Sequence, residues 1–506
     1  MKSLTISLIS AAILAALPRI TAAQNNTSGN ALTIYSTGRP GAVPPELYRG
    51  DGNGQPVPGY AVVRQQRELA LNRGRNTVRF TDVAGLIDPT TVSFQSLTDP
   101  AGTSVIEQNF QFDLVNTKKL LQKYVDRRIS VDQVRGSGTE SFAGTLLSTT
   151  DDGLVLKRDD GSIQTLPYNS GVRLPELPGG LITRPTLVWD VSANRAGTHN
   201  AQVSYQTTGI TWWTDYNVTY QEGANANSCK LDVAAWVSIV NQSGASYPDA
   251  RLKLVAGDVQ RAQPQGRVYA APAARSGMAM EMSAKGFEEK AFFEYHLYTL
   301  GRPTTLPDNS TKQIELFPAA RAVPCEKNLV YYGAAGMRPY GSPATDRNYG
   351  VQSNKKVDVY LSFKNAREQN MGMPLPAGRI RVSKLDESDK TLDFIGEDSI
   401  DHTARNEQVL IKLGSAFDVV GERRQVNFTV DTSRKTMTEE IEIKVRNQKK
   451  EVVTVMVKEN LYRWTNWNIS SKTHDYRKDD ARTVTFPVKV AAGAEAVVRY
   501  SVTYTW

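Results

Sequence analysis

The chain has 506 residues, with 60 Lys and Arg against 52 Asp and Glu and a formal net charge of +8. At about 150 residues per domain, this length predicts several modules rather than one core. Basic residues are spread evenly among acidic ones, without a basic helix or stripe, so the charge pattern argues against a nucleic-acid partner.

The first residues have the pattern of a secretory signal peptide. Lys2 precedes an apolar run over residues 4–17, and small residues lead to a cleavage site after Ala23. A membrane anchor would need about 20 uninterrupted apolar residues, and Pro18 and Arg19 cut this run short. No later stretch is apolar enough to form a transmembrane helix, so we expect a periplasmic or secreted mature chain.

Short runs of alternating apolar and polar residues, bounded by Gly or Asn, recur along the chain from Tyr60 onward and predict strands. The fold class predicted is all-β, with several modules, β-sandwiches plus a small SH3-like barrel, and very low helix content. The predicted division is 1–23 signal peptide, 24–115 N-terminal β module with a Gly/Pro-rich loop, 116–181 small SH3-like barrel, 182–260 central β-sandwich, 261–290 flexible linker and 291–506 C-terminal β-sandwich region.

The small barrel is predicted from a short helix over 117–125 and three strands between Gly144 and Leu166. Asp152-Gly153 and Asp160-Gly161 join these strands, and Asp-Gly between alternating runs is typical of a tight hairpin. The alternative is a hairpin attached to a neighbouring sheet.

The predicted linker, 261–290, loses periodicity and is rich in Ala, Gly, Pro and Met. Within it, Met278, Met280 and Met282 alternate, which is also compatible with thioether ligation of cuprous copper. The plainer interpretation is that Met replaces Ala in a low-complexity segment, and no cofactor is assigned.

Cys229 and Cys325 are the two cysteines of the chain. In an oxidising compartment they could form one disulfide that closes a long loop between two modules. Two separate buried thiols are equally compatible with the spacing, because spacing alone does not establish geometry.

The sequence assigns no metal and no catalytic residue. The four histidines are far apart and form no HxH or HExxH pattern, and no GxSxG elbow occurs. Carboxylates are dense from Asp386 to Asp398, but without the spacing of a calcium loop, so a solvated hairpin is the favoured interpretation. The pairs Trp212-Trp213 and Trp464 with Trp467 could stack on sugars, although large aromatics in sandwiches usually belong to the core.

Several ordered runs resemble one bacterial family, domain of unknown function 4139. They are Gln206 to Tyr216, Leu254-Val-Ala-Gly257, Phe293 to Tyr298, Leu375 to Val382, Phe394 to Thr403, Leu413-Gly-Ser-Ala-Phe417-Asp-Val, Trp464 to Trp467 and Tyr504-Thr-Trp506. The resemblance covers most of the chain from about Arg64 onward. It implies a bacterial, exported, β-rich protein and supplies no catalytic residues.

Three functional hypotheses follow. The first is a non-catalytic envelope protein that binds or scaffolds another protein or a surface glycan through loops on rigid sandwiches. The second is an envelope hydrolase with a site between modules, near His296 and His402. The third is an outer-membrane β-barrel, because the C-terminal run from Val498 to Trp506 alternates and ends on an aromatic. The ligand and oligomeric state remain open.

Overall fold

The computed structural model describes residues 20–22, 29–36, 57–111, 115–135, 138–150, 153–167, 171–179, 181–257, 259, 287–334, 341–351, 353–386 and 388–506. It is all-β, with 67% strand and 2% helix, and its described strands form multiple sheets. The predicted all-β, multi-module fold class is therefore confirmed.

The first sixteen strands are β1 (Ile20–Ala22), β2 (Ala31–Tyr35), β3 (Tyr60–Leu71), β4 (Gly74–Thr81), β5 (Ile87–Ser96), β6 (Thr103–Gln111), β7 (Arg128–Arg135), β8 (Gly138–Thr150), β9 (Gly153–Arg158), β10 (Ile163–Pro167), β11 (Gly171–Arg173), β12 (Thr186–Ala193), β13 (Gly197–Thr208), β14 (Ile210–Glu222), β15 (Ser228–Asn241) and β16 (Tyr247–Ala256).

The remaining strands are β17 (Phe287–Phe292), β18 (Tyr295–Leu300), β19 (Thr304–Leu306), β20 (Ser310–Tyr332), β21 (Lys356–Lys364), β22 (Gly378–Leu385), β23 (Leu392–Ile400), β24 (Gln408–Asp431), β25 (Thr436–Asn447), β26 (Val453–Asn460), β27 (Trp467–Lys472), β28 (Arg477–Lys478), β29 (Thr483–Val490) and β30 (Glu495–Thr505). The described helices are α1 (Thr117–Lys123) and a 3-10 turn, η1 (Arg367–Gln369).

Four sheets contain these strands. A four-stranded sheet has the order β1-β4-β12-β6, and a five-stranded sheet has the order β10-β9-β8-β7-β11. An eight-stranded sheet runs β17-β18-β16-β2-β3-β13-β5, with β19 on β16. The largest sheet, of thirteen strands, runs β23-β22-β14-β15-β20-β21-β24-β25-β30-β27, and β26, β29 and β28 branch from β20.

The five-stranded sheet is the predicted small barrel, and it is open. Its outer strands β10 and β11 pair with β9 and β7 and not with each other in the described residues. The predicted helix is present as α1, where the Asn116 side chain accepts the Lys119 N–H at 2.9 Å, and Leu121 and Tyr124 pack into a small separate core. The Asp160-Gly161 hairpin is also present, although only Gly161 has a positive φ, of 84°.

Strand pairing crosses the module boundaries drawn from the sequence. β4 and β3 pair with β12 and β13, and β14 and β15 pair with β22 and β20. The five-stranded module is thus an insertion between β6 and β12, and the predicted central sandwich shares its sheets with both neighbours. Local periodicity identifies a strand but not its distant partner, which is why the sequence did not show this arrangement.

Two large cores lie against these sheets. The first packs the four- and eight-stranded sheets against β14, β15, β22 and the first part of β20, around Trp189, Trp212 and Tyr216. The second joins the end of β20 to β21, β24–β26, β29 and β30, around Tyr331 and Tyr500. β20 contributes to both.

The second core contains two buried ion pairs. Arg423 Nε lies 2.9 Å from Glu459 Oε2, and Arg463 Nη2 lies 3.1 Å from Glu439 Oε1, with all four side chains at most 1% exposed. Both guanidinium groups also donate to backbone carbonyls of the 344–350 segment. Arg423 Nη1 donates to Gly350 at 3.3 Å, and Arg463 donates to Ala344, Asp346 and Tyr349 at 2.8 to 2.9 Å. Buried charges are costly unless paired and hydrogen-bonded, and these are both.

A disulfide joins Cys229 of β15 to Cys325 of β20, with an S–S distance of 2.02 Å and a Cα–Cα distance of 4.9 Å. The two residues face each other in the antiparallel ladder. Parts of the predicted signal peptide (1–19 and 23), of the Gly/Pro-rich loop (37–56) and of the linker with its three methionines (260–286) lie outside the described residues.

Replacing Cys229 and Cys325 together by Ser is expected to lower the free energy of unfolding of the sheet by about 3 to 5 kcal/mol, because the crosslink then no longer restricts the unfolded chain. The sequence separation of 96 residues makes the closed loop long. Urea unfolding followed by Trp fluorescence, with and without reductant, measures the change. An unaltered urea midpoint in the variant would contradict the expectation, provided that mass spectrometry finds the bond in the wild-type chain.

Candidate functional site

One exposed sheet face combines a buried carboxylate, two arginines and exposed aromatics. It is formed by β23, β22, β14 and β15, on the side opposite the first core. We call it the Asp215 face and define it by Trp213, Asp215, Trp236, Ser238, Arg379, Arg381, Phe394 and Glu397.

Strand alternation explains why these side chains share a face. In β14 the core side chains Trp212 and Tyr216 are 1% exposed. Because successive side chains of a strand point to opposite faces, Trp213 and Asp215 lie on the other side. The sequence left open whether Trp212 and Trp213 pack in the core or lie at the surface. In the structure, Trp212 belongs to the core and Trp213 lies on the outer face.

Register then brings the remaining members together. Asp215 stands opposite Trp236 in β15 and opposite Arg379 in β22. Arg381 stands opposite Glu397 in β23, two positions along the same face. Directly paired side chains of neighbouring strands lie close enough to interact, so a charged row crosses three strands.

The Asp215 carboxylate is the centre of the face. Its side chain is 7% exposed. Oδ2 accepts the Trp213 indole N–H at 2.8 Å and the Ser238 hydroxyl at 2.9 Å, and Oδ1 accepts Arg379 Nη2 at 3.2 Å. A buried carboxylate held by three different donors has a fixed orientation, so the group is preorganised.

Glu397 completes the charge balance at the surface. Arg381 Nε donates to Glu397 Oε2 at 2.8 Å, and Arg379 Nε lies 3.8 Å from the same oxygen. Arg381 Nη1 also lies 3.9 Å from Asp215 Oδ1. Two arginines thus alternate with two carboxylates, and the row carries no net charge.

Exposed apolar side chains border this row. Trp236 is 37% exposed, Phe394 63% and Leu392 58%. Phe394 pairs with Ser383, two positions beyond Arg381, and Leu392 pairs with Leu385. The face therefore presents a neutral polar centre with apolar side chains at its margins.

Gly378 permits the parallel contact on which the Asp215–Arg379 pair depends. A Cβ at this position would lie 2.2 Å from the Thr214 carbonyl oxygen and 2.9 Å from the Tyr216 ring. Any larger residue would move β22 away from β14. The Tyr216 hydroxyl further fixes the junction by donating to the Pro376 carbonyl at 2.7 Å.

The two histidines of the hydrolase hypothesis lie in different environments. His296 Nδ1 is 2.7 Å from Glu289 Oε1, and Arg405 Nη2 is 3.0 Å from Glu289 Oε2. His402 Nδ1 accepts the Ala377 N–H at 3.0 Å. Glu289 thus links His296 to the turn that carries His402, but the described residues place no hydroxyl or thiol in hydrogen-bonding distance of His296.

The other two histidines have structural partners. His199 is buried between the Ser96 hydroxyl and the Arg195 carbonyl, each at 3.1 Å. His474 lies 3.0 Å from the Thr473 hydroxyl. Within the described part of the chain, no group of three His, Cys, Asp or Glu side chains is placed to hold a metal.

The acidic run from Asp386 to Asp398 forms turns and ladder contacts. Asp386 Oδ1 accepts the Ser388 N–H at 2.7 Å and its hydroxyl at 2.6 Å, and these hydrogen bonds lower the pKa of Asp386. Asp389 Oδ1 likewise accepts the Thr391 N–H at 2.9 Å and the Thr391 hydroxyl at 2.7 Å. Asp398 Oδ2 accepts the Lys412 N–H at 2.6 Å.

Sequence reasoning did not identify Asp215, Arg379, Arg381 or Glu397 as a group. A local indication was present, because Arg379 and Arg381 alternate with buried Ile380 in one strand and so must share a face. Their partner on β14 could not be found without the fold.

No family model matches the chain, and a comparison with curated proteins also gives no match. The resemblance to the domain of unknown function 4139 family therefore stays a prediction. None of the helices in the described residues is long and apolar enough to cross a membrane.

Gly378→Ala is expected to destabilise the protein by about 1 to 3 kcal/mol, because the added methyl group overpacks the contact with β14. Thermal unfolding measures the loss. Gly179→Ala is the matched control, since no heavy atom beyond its chain neighbours lies within 4 Å of a Cβ there. Equal midpoints for the two variants would contradict the role given to Gly378.

Acidification is expected to loosen the β17–β18 hairpin. Burial raises the pKa of Glu289, but hydrogen bonds and charge from His296 and Arg405 outweigh it and leave the pKa below its usual 4.5. A carboxyl group whose pKa is lower in the folded than in the unfolded state stabilises the fold at pH values above its unfolded-state pKa. This stabilisation is lost as the pH falls through the folded-state pKa.

Hydrogen-exchange protection factors of β17 and β18, at neutral pH and below about pH 4, measure this loss. Glu289→Gln should remove the pH dependence of the hairpin while that of distant strands stays unchanged. Protection that falls equally in the variant and the wild-type chain would contradict the assignment.

Proposed function

We propose that this chain is an exported cell-envelope protein that binds a partner protein through the Asp215 face and acts as a binding or scaffolding component rather than by turnover. The observation that carries the proposal is the preorganised row of Asp215, Arg379, Arg381 and Glu397 beside exposed Trp236. Family membership in the domain of unknown function 4139 group is part of the same proposal.

The composition of the face supports recognition of a protein. Trp and Arg are enriched among the residues that dominate binding energy at protein interfaces. Here the arginines are already held by carboxylates, so little side-chain entropy is lost when a partner binds. Trp236 stands opposite Asp215 in the strand ladder, and its side chain is partly exposed to solvent.

The shape of the face supports a large partner. The side chains of the face stand on four neighbouring strands, which at about 4.8 Å between strands span roughly 15 Å of one sheet surface. Small-molecule sites are concave, whereas protein interfaces are commonly flat and bury about 800 Å² on each side. The neutral charge balance makes binding depend on fit and hydrogen bonding more than on long-range attraction.

Trp236 also favours a second candidate, a surface glycan. An exposed indole beside Arg, Glu and Asp side chains offers both a flat apolar surface and hydrogen-bonding groups. This interpretation uses the same face and predicts a carbohydrate in place of a protein.

Export to the periplasm or the exterior is supported by two features. The N-terminal residues have the pattern of a secretory signal peptide. The Cys229–Cys325 disulfide is of a kind that persists in oxidising compartments and is rare in the cytosol.

Site-specific photo-crosslinking in cells tests the proposal. A photoreactive residue at Trp236 or Phe394 is expected to capture one defined protein. The same probe at Ile163, 58% exposed on the five-stranded sheet, should not capture it. Trp236→Ala and Arg381→Ala should each weaken the purified complex about tenfold or more.

Capture of carbohydrate at Trp236 would favour the glycan candidate. Equal capture at all three positions, or full binding by both variants, would contradict the Asp215 face as the interface. Circular dichroism of each variant verifies that the sheet is intact.

A further inference from the structure

A second surface feature lies on β24, just beyond the part of this strand that contacts β23. The β24 strand pairs with β21 on both sides of a bulge: Ser415 stands opposite Asp358, and Val420 stands opposite Lys356. Between these pairs, residues 416–419 of β24 face a single residue of β21. We call residues 415–419 the Phe417 bulge.

The base of the bulge is fixed while its tip projects. Val419 is fully buried, and Ala416 packs against the second core. The Gln448 N–H donates to the Asp418 carbonyl at 2.8 Å. Phe417, between these anchors, is 95% exposed, the highest value among the large apolar side chains of the described residues.

Lysine pairs stand on both sides of the bulge. On one side, the backbone carbonyl of Lys355 accepts the Gly421 N–H at 3.1 Å, and Lys356 is the first residue of β21. On the other side, Asn447 pairs with Val419, and Lys449 and Lys450 follow it in the turn before β26. Lys355, Lys356 and Lys450 are exposed.

The local charge is positive. Asp418 and Glu451 are the acidic residues within these segments, against four lysines, so the balance is +2. Nearby Glu422 is occupied by Arg446, at 3.1 Å. A projecting aromatic ring is therefore flanked along the strand ladder by segments that carry four lysines.

We propose that the Phe417 bulge and its two lysine pairs dock this protein on an anionic lipid surface. A convex apolar tip can enter the boundary between headgroups and acyl chains, where aromatic side chains are favoured. Lysines beside it attract anionic headgroups. A protein-binding hot spot typically lies in a well-packed, desolvated pocket, whereas the Phe417 side chain is 95% exposed.

The test is co-sedimentation of the mature chain, residues 24–506, with lipid vesicles at low and high salt. Binding is expected to vesicles that contain phosphatidylglycerol and not to pure phosphatidylcholine, and to weaken as salt rises. Lys449→Gln/Lys450→Gln should reduce the partition constant about 25-fold, from two lost lysine attractions. Phe417→Ala should also reduce it severalfold.

Two variants serve as matched controls. Lys118→Gln/Lys119→Gln removes the same charge from α1, and Phe293→Ala removes a ring that is 82% exposed at the β17–β18 hairpin. Neither should alter vesicle binding. Loss in the controls equal to the loss in the bulge variants would overturn the assignment to this surface.

A direct readout of insertion uses Phe417→Cys labelled with a polarity-sensitive dye, since both native cysteines are disulfide-bonded. Its emission should shift to the blue with anionic vesicles, and that of labelled Phe293→Cys should not. Failure of the mature chain to bind anionic vesicles, or equal binding to neutral ones, would overturn the proposal. Arg381→Ala, which alters the Asp215 face, should bind vesicles normally, so this result is independent of the proposed partner.

Discussion

The long strand β20 is the constraint on which the rest of the architecture depends. Its first part places Leu316 and Val323 in the first core, and its last part places Leu329 and Tyr331 in the second. A single strand can serve two cores because its ladder partners change along its length, from β15 to β21 and the parallel strand β26. The disulfide lies on β20 near the transition between the two cores, at Cys325. The described part of the chain therefore has two cores that share a strand rather than separate modules joined by linkers.

The second core shows how buried charge can define one conformation. Arg423 and Arg463 each have a buried carboxylate partner. Arg423 Nη1 also donates to the Gly350 carbonyl, and Arg463 donates to the carbonyls of Ala344, Asp346 and Tyr349. Replacement of a buried pair by apolar residues is often neutral for stability. Apolar replacements would not donate hydrogen bonds to those carbonyls, however, so we attribute to the two arginines the positioning of this segment over β24, the strand that also carries the Phe417 bulge.

Local features of the fold were predictable from sequence, and long-range pairing was not. Alternation predicted the strands, the run 117–125 predicted α1, and Asp160-Gly161 predicted a hairpin. Beyond the predicted boundary at residue 182, β12 returns to pair with β4 across an inserted module, and no local pattern indicates that pairing. The Asp215 row depends on a parallel contact between β14 and β22, two strands with many residues between them. Periodicity indicated which side chains share a face of one strand, but only the register shows which strands lie side by side.

The two surfaces differ in a way that follows from how each is built. On the Asp215 face every charge is balanced by a neighbour across the ladder, so long-range attraction is weak and recognition depends on contact. Around Phe417 the lysines come from turns and strand ends, and the field of such charges extends about 10 Å into solvent before salt screens it. A field of that kind brings a protein to a charged surface without selecting a partner. If docking at Phe417 confines the chain to a membrane surface, the neutral Asp215 face can meet a partner at the same surface without long-range electrostatic attraction. The two proposed roles, unspecific docking at Phe417 and specific binding at the Asp215 face, thus follow from where each group lies in the strands.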